Sequence, residues 1–351
     1  MRILTKFTLA IAAGTALMAA LPAASAWAGD ELTITSWGGA YQESQRKAYF
    51  EPFIKDGNKV TEEEYNGEIA KLRAMVESKA VTWDVVDVDT QTALAACAEG
   101  VLETIDWGKL GLDRSKFVGG DLQDCAIPTI VYATVIAYDT SKMPDGPKTI
   151  ADVFDTQKFP GKRGLQKNPV VNREWALIAD GVPQADVYKM LATPEGVDRA
   201  FKKLDTIKKD VVWWEAGAQP PELLAKGEVV MTSAWNGRIG NAIKEGKNFK
   251  IVWDYQEFDW DFWVIPAGTK NLDGAYDFIK FASDPKNMSQ QSKYIAYAPT
   301  HKDAIALVDP AIAPTLPTFP DNMKTAIPTD LVFWADNNEE LTKRFNAWLA
   351  Q

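Results

Sequence analysis

One histidine, His301, stands in 351 residues. Metal sites built on several imidazoles are excluded, and a histidine-dependent triad would rest on that one residue, which the sequence places at the surface. Cysteine is nearly as scarce, with Cys97 and Cys125 the only two. After residue 28 no segment is apolar over the roughly 20 residues that a membrane-spanning helix needs. Basic residues are in deficit: 38 Lys and Arg face 48 Asp and Glu, a net charge of −10. An acidic surface argues against nucleic acid and anionic lipid as partners and suits cationic or zwitterionic ligands. Internal repeats and low-complexity segments are lacking too.

The chain begins with Arg2 and Lys6, an apolar run from Phe7 to Leu21, then Ala24-Ser25-Ala26 and Ala26-Trp27-Ala28. These small-x-small steps after a charged start and a short apolar core read as a secretory signal peptide over 1–28, cleaved near Ala28, with export to the periplasm. Gly14, Thr15 and Pro22 interrupt the run and argue against a membrane anchor. Removal of 1–28 leaves a net charge of −12 and 12 tryptophans. In an exported chain an isolated cysteine pair reads as a disulfide, here closing a loop of about 28 residues. The remaining length, roughly 320 residues, exceeds one simple core and predicts two lobes.

Leu32–Ser36 reads as a first strand, broken at Trp37-Gly38-Gly39 and followed by helical spacing from Ala40 to Lys55. A short strand at Lys59, a helix over 68–79, a strand over 83–89 and a helix over 90–100 complete a βαβ pattern, the mark of a parallel sheet. Ile127–Tyr138 is a long β-branched run, suited to carry the chain from one lobe to another. The pattern then restarts through Val211-Val212-Trp213-Trp214, where packing is the expected role of the tryptophans. Asp261–Ile265 is a second long apolar run, suited to bring the chain back, and Glu339–Leu349 is a closing amphipathic helix. The fold class is α/β. Lobe 1 is expected at 29–133 plus 262–310 and lobe 2 at 134–261 plus 311–351, with two hinge crossings near 133–138 and 261–266. Such a layout leaves a ligand cleft between the lobes.

The densest chemistry lies between Gly227 and Pro266. Trp235-Asn236-Gly237-Arg238 follows a strand and opens a helix. A cation in a helix's first turn opposes the helix dipole, and a residue placed against a local rule is a candidate for function. On the next strand the two-residue period puts Asp259, Asp261 and Trp263 on one face. An arginine, aromatics and acids together suit a small ligand with an anionic and a cationic end. Arg238 pairing with Glu245 on its own lobe is the plainer alternative. Asp87 and Asp89 end a strand near the cleft; capping is the plainer role of both, and Asp89 is also a candidate ligand residue. The acids at 254, 257, 259 and 261 lack the spacing of a calcium loop, so no metal residue is assigned, and neither is a catalytic residue or a cofactor.

Trp37-Gly38-Gly39-Ala40-Tyr41, Trp83-Asp84-Val85-Val86, Gly227-Glu228-Val229-Val230-Met231, Trp260-Asp261 before Ile265-Pro266-Ala267, and Tyr297-Ala298-Pro299-Thr300 occur in that order. With them the chain resembles the periplasmic solute-binding proteins of ABC transporters, nearest the spermidine/putrescine-binding group with the type II binding-protein fold. The resemblance covers nearly all of the mature chain. It implies a monomer that serves an inner-membrane permease. It also implies an aromatic box of Trp37, Tyr41, Trp235 and Tyr297, with Asp261 gripping an amine and Glu174 as a second acid. The chain departs from that pattern at Val171 and Asp259, and above all at Arg238, which would repel a polyamine and pair with a carboxylate. Gly38 and Gly39, at a helix start, can add backbone N–H donors to an anion. The ligand then reads as a small zwitterionic ω-amino acid such as γ-aminobutyrate, which the resemblance also reaches, with a polyamine as the alternative.

Two enzyme readings stay open beside it. A secreted glycosidase would use tryptophan platforms and two carboxylates, and a thiaminase-like enzyme on the same fold would use a free cysteine thiol.

Overall fold

The computed structural model describes residues 31–351; the leader read at 1–28 lies outside them. Eight main strands are β1 (Glu31–Ser36), β2 (Lys59–Glu64), β3 (Val85–Asp89), β4 (Ala126–Asp139), β5 (Arg163–Gln166), β6 (Val211–Trp214), β7 (Met231–Trp235) and β8 (Phe249–Val264). They pair in the order β2-β1-β3-β8-β4-β7-β5-β6, and two short strands, β9 (Ala298–Pro299) and β10 (Ile327–Pro328), join β4 and β8. Parallel pairing holds at β1 with β2 and β3, and at β5 with β6 and β7, as the alternation of strands and helices requires. β8 runs antiparallel to β4 and to β3, and β4 runs antiparallel to β7.

The length of β4 and β8 has one cause: each serves two lobes. The first part of β4 pairs with β9 and with the end of β8, and Thr134–Tyr138 pairs with β7. On β8, Asp261–Val264 lie beside β3. Between Thr134 and Ile136 the register jumps, and β8 skips from Glu257 to Val252. Tyr255, within the skip, takes a left-handed φ of 47°. The chain also passes between the lobes a third time. Leu316 packs with Val131 and Ala298, Gln256 Nε2 donates to the carbonyls of Pro317 and Asn322, and β10 then pairs with β8 at Glu257 and Phe258.

Each lobe buries its own core. Trp263, on the face shared with Asp259 and Asp261, packs into the core with Tyr49 and Phe278 in the first lobe. In the second lobe, Leu177, Phe201, Trp334, Phe345 and Trp348 form a cluster. The last helix is Leu331–Leu349, longer at its start than the amphipathic pattern suggested, because Asp330 caps it by accepting from the Phe333 N–H at 2.9 Å. His301 is not at the surface. It is buried against the Phe117 ring, and its Nδ1 accepts from the Asp303 N–H. Cys97 and Cys125 are bonded, tying the helix Thr90–Ala98 to the start of β4. Among the described residues no helix is long and apolar enough to cross a membrane.

Candidate ligand-binding site

A cavity of about 150 Å³ opens between the lobes where β4 and β8 cross. Its floor follows from strand pairing. Tyr132 sits opposite Asp259 and Thr134 opposite Glu257, and the two-residue period turns Glu257, Asp259 and Asp261 to the same face. Trp37, Tyr41, Trp235 and Tyr297 line the walls with Tyr132. Their rings meet edge to face: Trp37 and Trp235 at 5.9 Å, Tyr41 and Tyr297 at 5.3 Å, Tyr132 and Trp235 at 6.2 Å. Trp37 and Tyr41 follow β1 and Trp235 ends β7, so the box is assembled from segments far apart in the chain.

Arg238 lines the same cavity and is buried. It occupies the first turn of the helix Asn236–Lys244, as the sequence indicated. It does not pair with Glu245, which instead accepts from Asn241 Nδ2. Arg238 Nη1 donates to the Gly38 carbonyl at 2.8 Å and Nη2 to the Trp37 carbonyl at 3.1 Å. Nε has no partner among the described residues. Two of the five guanidinium donors are thus spent on main-chain oxygens, and others remain for an anion. Asn236 holds the helix start, accepting from the Ala133 N–H and donating to the Ala296 carbonyl, and so ties β4 to the segment that carries Tyr297.

Electrostatically the cavity is crowded with acid. Burial drives the Asp261 carboxyl well above the ordinary carboxylate range, and the charges of Asp87, Asp89 and Asp259 push it further. Asp259 is raised to about 7, again chiefly by burial, although it accepts from Thr90 Oγ1 and the Trp260 N–H. Burial also raises Asp89, which caps the helix after β3 by accepting from the Thr92 N–H at 2.8 Å while it lines the cavity. Glu257 is raised by burial and then by Glu174. Near Tyr297, whose hydroxyl burial pushes upward, Arg238 and Asp261 act with opposite sign. A cation and an acid therefore flank one ring. Four carboxyls and one guanidinium in a buried space favour a ligand with an ammonium and a carboxylate.

Of the sequence candidates, Trp37, Tyr41, Asp89, Trp235, Arg238, Asp261 and Tyr297 meet at this cavity. Glu174 does not. It is fully buried in the second lobe, where Trp334 Nε1 donates to it at 2.9 Å. Val171 precedes its helix with a φ of 69°, and Val170 and Val171 reach the cavity in its place. Gly38 does not line the cavity either: its N–H donates to Gln42 Oε1, so the expected donor to an anion is already used. Its carbonyl instead anchors Arg238. Glu257 and Tyr132 were missed. The period that singled out Asp259 and Asp261 extends back to Glu257, and Tyr132 lay inside an apolar run with nothing local to mark it.

The family model of the bacterial extracellular solute-binding proteins matches residues 48–318. The γ-aminobutyric acid-binding protein of Pseudomonas aeruginosa is 46% identical over 333 residues, covering 95% of this chain and 94% of its own. A solved structure described as a GABA receptor superposes with a TM-score of 0.80 at 36% identity, over 92% of this chain and 98% of the other. A periplasmic binding protein of A. tumefaciens R10 in complex with agropinic acid superposes with a TM-score of 0.84 at 34% identity, over 92% and 99%. With the two-lobed sheet and its interlobe cavity, these matches place the chain in the family of bacterial extracellular solute-binding proteins.

Proposed function

We propose that this chain is the periplasmic binding component of an ABC importer, and that it carries a small ω-amino acid such as γ-aminobutyrate between its lobes. One observation carries the reading: Arg238 is the single cation among the described residues lining a cavity that also holds Asp89, Glu257, Asp259 and Asp261. A ligand carboxylate pairs with Arg238, its ammonium with Asp261, and its methylenes lie among Trp37, Tyr41, Trp235 and Tyr297. Size supports it. An apolar cavity of about 150 Å³ takes up benzene, so this space suits about six or seven non-hydrogen atoms, which admits γ-aminobutyrate or putrescine but not a longer polyamine such as spermidine. The 46% identity to a γ-aminobutyric acid-binding protein points the same way.

The lobes divide at 29–133 plus 262–310 and 134–261 plus 311–351, with hinge crossings near 133–138 and 261–266. They close on the ligand and present both surfaces to an inner-membrane permease, as a monomer exported through the 1–28 leader. The protein binds and does not catalyse. The cysteine-nucleophile alternative loses its thiol, since both cysteines are bridged. A polyamine would have to accept Arg238 beside its ammonium ends. Calorimetry on ligand-stripped protein with γ-aminobutyrate, putrescine and α-amino acids tests the reading. Tight binding of γ-aminobutyrate is expected, and a clear preference for putrescine would replace it with the polyamine reading.

A further inference from the structure

Asp87 lies on β3, fully buried, and does not line the cavity. Three side chains after β1 donate to it. Trp37 Nε1 reaches Oδ1 at 3.0 Å, and the Tyr41 hydroxyl and Gln45 amide reach Oδ2 at 2.9 and 2.6 Å. Trp37 and Tyr41 are two walls of the aromatic box. A single carboxylate thus fixes the polar handles of both rings, the partner a buried Tyr or Trp requires. Pairing of β3 with β8 sets Asp89 opposite Asp261 and Asp87 opposite Trp263, so Asp261 is the diagonal neighbour of Asp87 on the same face of the sheet. The other titratable groups facing Asp87 are Tyr41, Tyr49 and Tyr297, while the Tyr65 hydroxyl donates to its main-chain carbonyl. The charges that act most on Asp261 are Asp87, Asp89 and Asp259, while Arg238, the cation lining the same cavity, lies 5.9 Å over the Tyr41 ring.

Two buried carboxyls that are diagonal neighbours on one sheet face, with further acids at Asp89 and Asp259, do not readily both ionise; they titrate as a pair. We propose that Asp87 is a positioning residue of the ligand site and that, in the empty site, it shares one proton with Asp261, which the ligand's ammonium displaces to solvent. The proposal rests on an amine-bearing ligand, as argued above. Before binding the pair holds one proton and one negative charge. After binding it holds two negative charges beside one ammonium, so local charge is conserved and one proton has left. The three donors favour the ionised form of Asp87, which leaves the proton on Asp261, the group the ammonium meets. Trp37 and Tyr41 therefore keep the same anchor in both states, and the box is set before the ligand arrives.

Calorimetric titration of the whole mature protein with γ-aminobutyrate, in buffers of differing ionisation enthalpy between pH 6 and 8, counts the protons released. The native protein should release up to one, fewer as pH rises. Asp87→Asn should weaken binding about ten- to hundredfold and move proton release to lower pH. Tyr41→Phe keeps the ring but removes one donor, and should move release to higher pH; it decides the matter if Asp87→Asn does not fold. A purely structural role would lower affinity with the proton count unchanged, and that result overturns the proposal, as does a native protein that releases none. A second arm needs no ligand. Thermal stability of the empty protein between pH 5 and 8 should depend less on pH in Asp87→Asn than in the native protein, and equal dependence overturns the proposal. Failure of γ-aminobutyrate to bind, with this second arm intact, would overturn only the ligand assignment.

Discussion

Arg238 Nη1 donates to the carbonyl of Gly38 across 2.8 Å, although the two residues are 200 positions apart in the chain. One stands on the first turn of a second-lobe helix, the other in the turn after β1 of the first lobe. Gly38 adopts φ 60° and ψ −177°, a region open essentially to glycine alone. A β-carbon there would fall 2.6 Å from Glu64 Oε2. The guanidinium that lines the cavity thus also ties the turn after β1 to the helix after β7, and under the proposed function anion binding and cleft closure would share one side chain. Preferential binding to the closed state is what drives closure in a two-state protein.

Arg238→Ala should therefore weaken γ-aminobutyrate binding by about 2–5 kcal/mol, the cost of breaking a buried charge pair, or about thirtyfold to several-thousandfold in Kd. Asp261→Ala should cost a similar amount through the ammonium. For putrescine the two differ in sign: loss of Arg238 should improve binding and loss of Asp261 should weaken it. Calorimetry with both ligands on both variants checks this, and X-ray scattering should show a smaller radius of gyration for the native protein with ligand than without.

Ligand-free stability should fall as pH rises from about 5 to 8. Asp259 is raised to about 7 in the folded chain and Asp261 well above the ordinary carboxylate range, both chiefly by burial, against about 3.9 unfolded. A carboxyl with a raised folded value stabilises fully below its unfolded value and loses that contribution as pH rises through about 7. An ammonium-bearing ligand restores a counter-charge, so ligand should lessen the fall. Melting temperatures across this range, with and without γ-aminobutyrate, would contradict the assignment if they rose for the empty protein.

Reduction of the Cys97–Cys125 bond, or Cys97→Ser with Cys125→Ser, should cost about 3–4 kcal/mol of stability through loop entropy, with little change in Kd. The bond ties the helix Thr90–Ala98 to the start of β4 and lies outside the cavity lining. Denaturant titration measures the first effect and calorimetry the second. Alkylation of the unreduced, denatured protein should label no thiol.

Gly237→Ala tests the fit of the aromatic box without altering charge. A β-carbon at Gly237 would meet Tyr297 Cε1 at 2.5 Å and Ile295 Cγ1 at 2.7 Å, and both neighbours are buried. Overpacking of this kind costs about 1–3 kcal/mol. Since Tyr297 must yield, Kd should rise along with the loss of stability. Unchanged affinity would separate Tyr297 from the ligand.

Local pattern determined a good part of this protein. Period two on β8 placed Asp259 and Asp261 together, the first turn after Trp235 placed Arg238, and the long run at Ile127–Tyr138 announced a strand with two lobes to serve. The export context paired Cys97 with Cys125. These readings needed only spacing, because strands and helices impose fixed periods on their side chains. What lies opposite what was decided only by the tertiary structure. Glu174 and Glu257 are both acids on plausible elements. The docking of the last helix gives Glu174 a Trp334 partner inside the second lobe, while the β4–β8 register turns Glu257 into the cavity. Gly38 was expected to offer its N–H to an anion, but Gln42 takes that donor and the opposite lobe uses the carbonyl. Asp87 looked like a strand end until three donors from beyond β1 converged on it. Such assignments depend on contacts between segments tens to hundreds of residues apart, which no local period encodes.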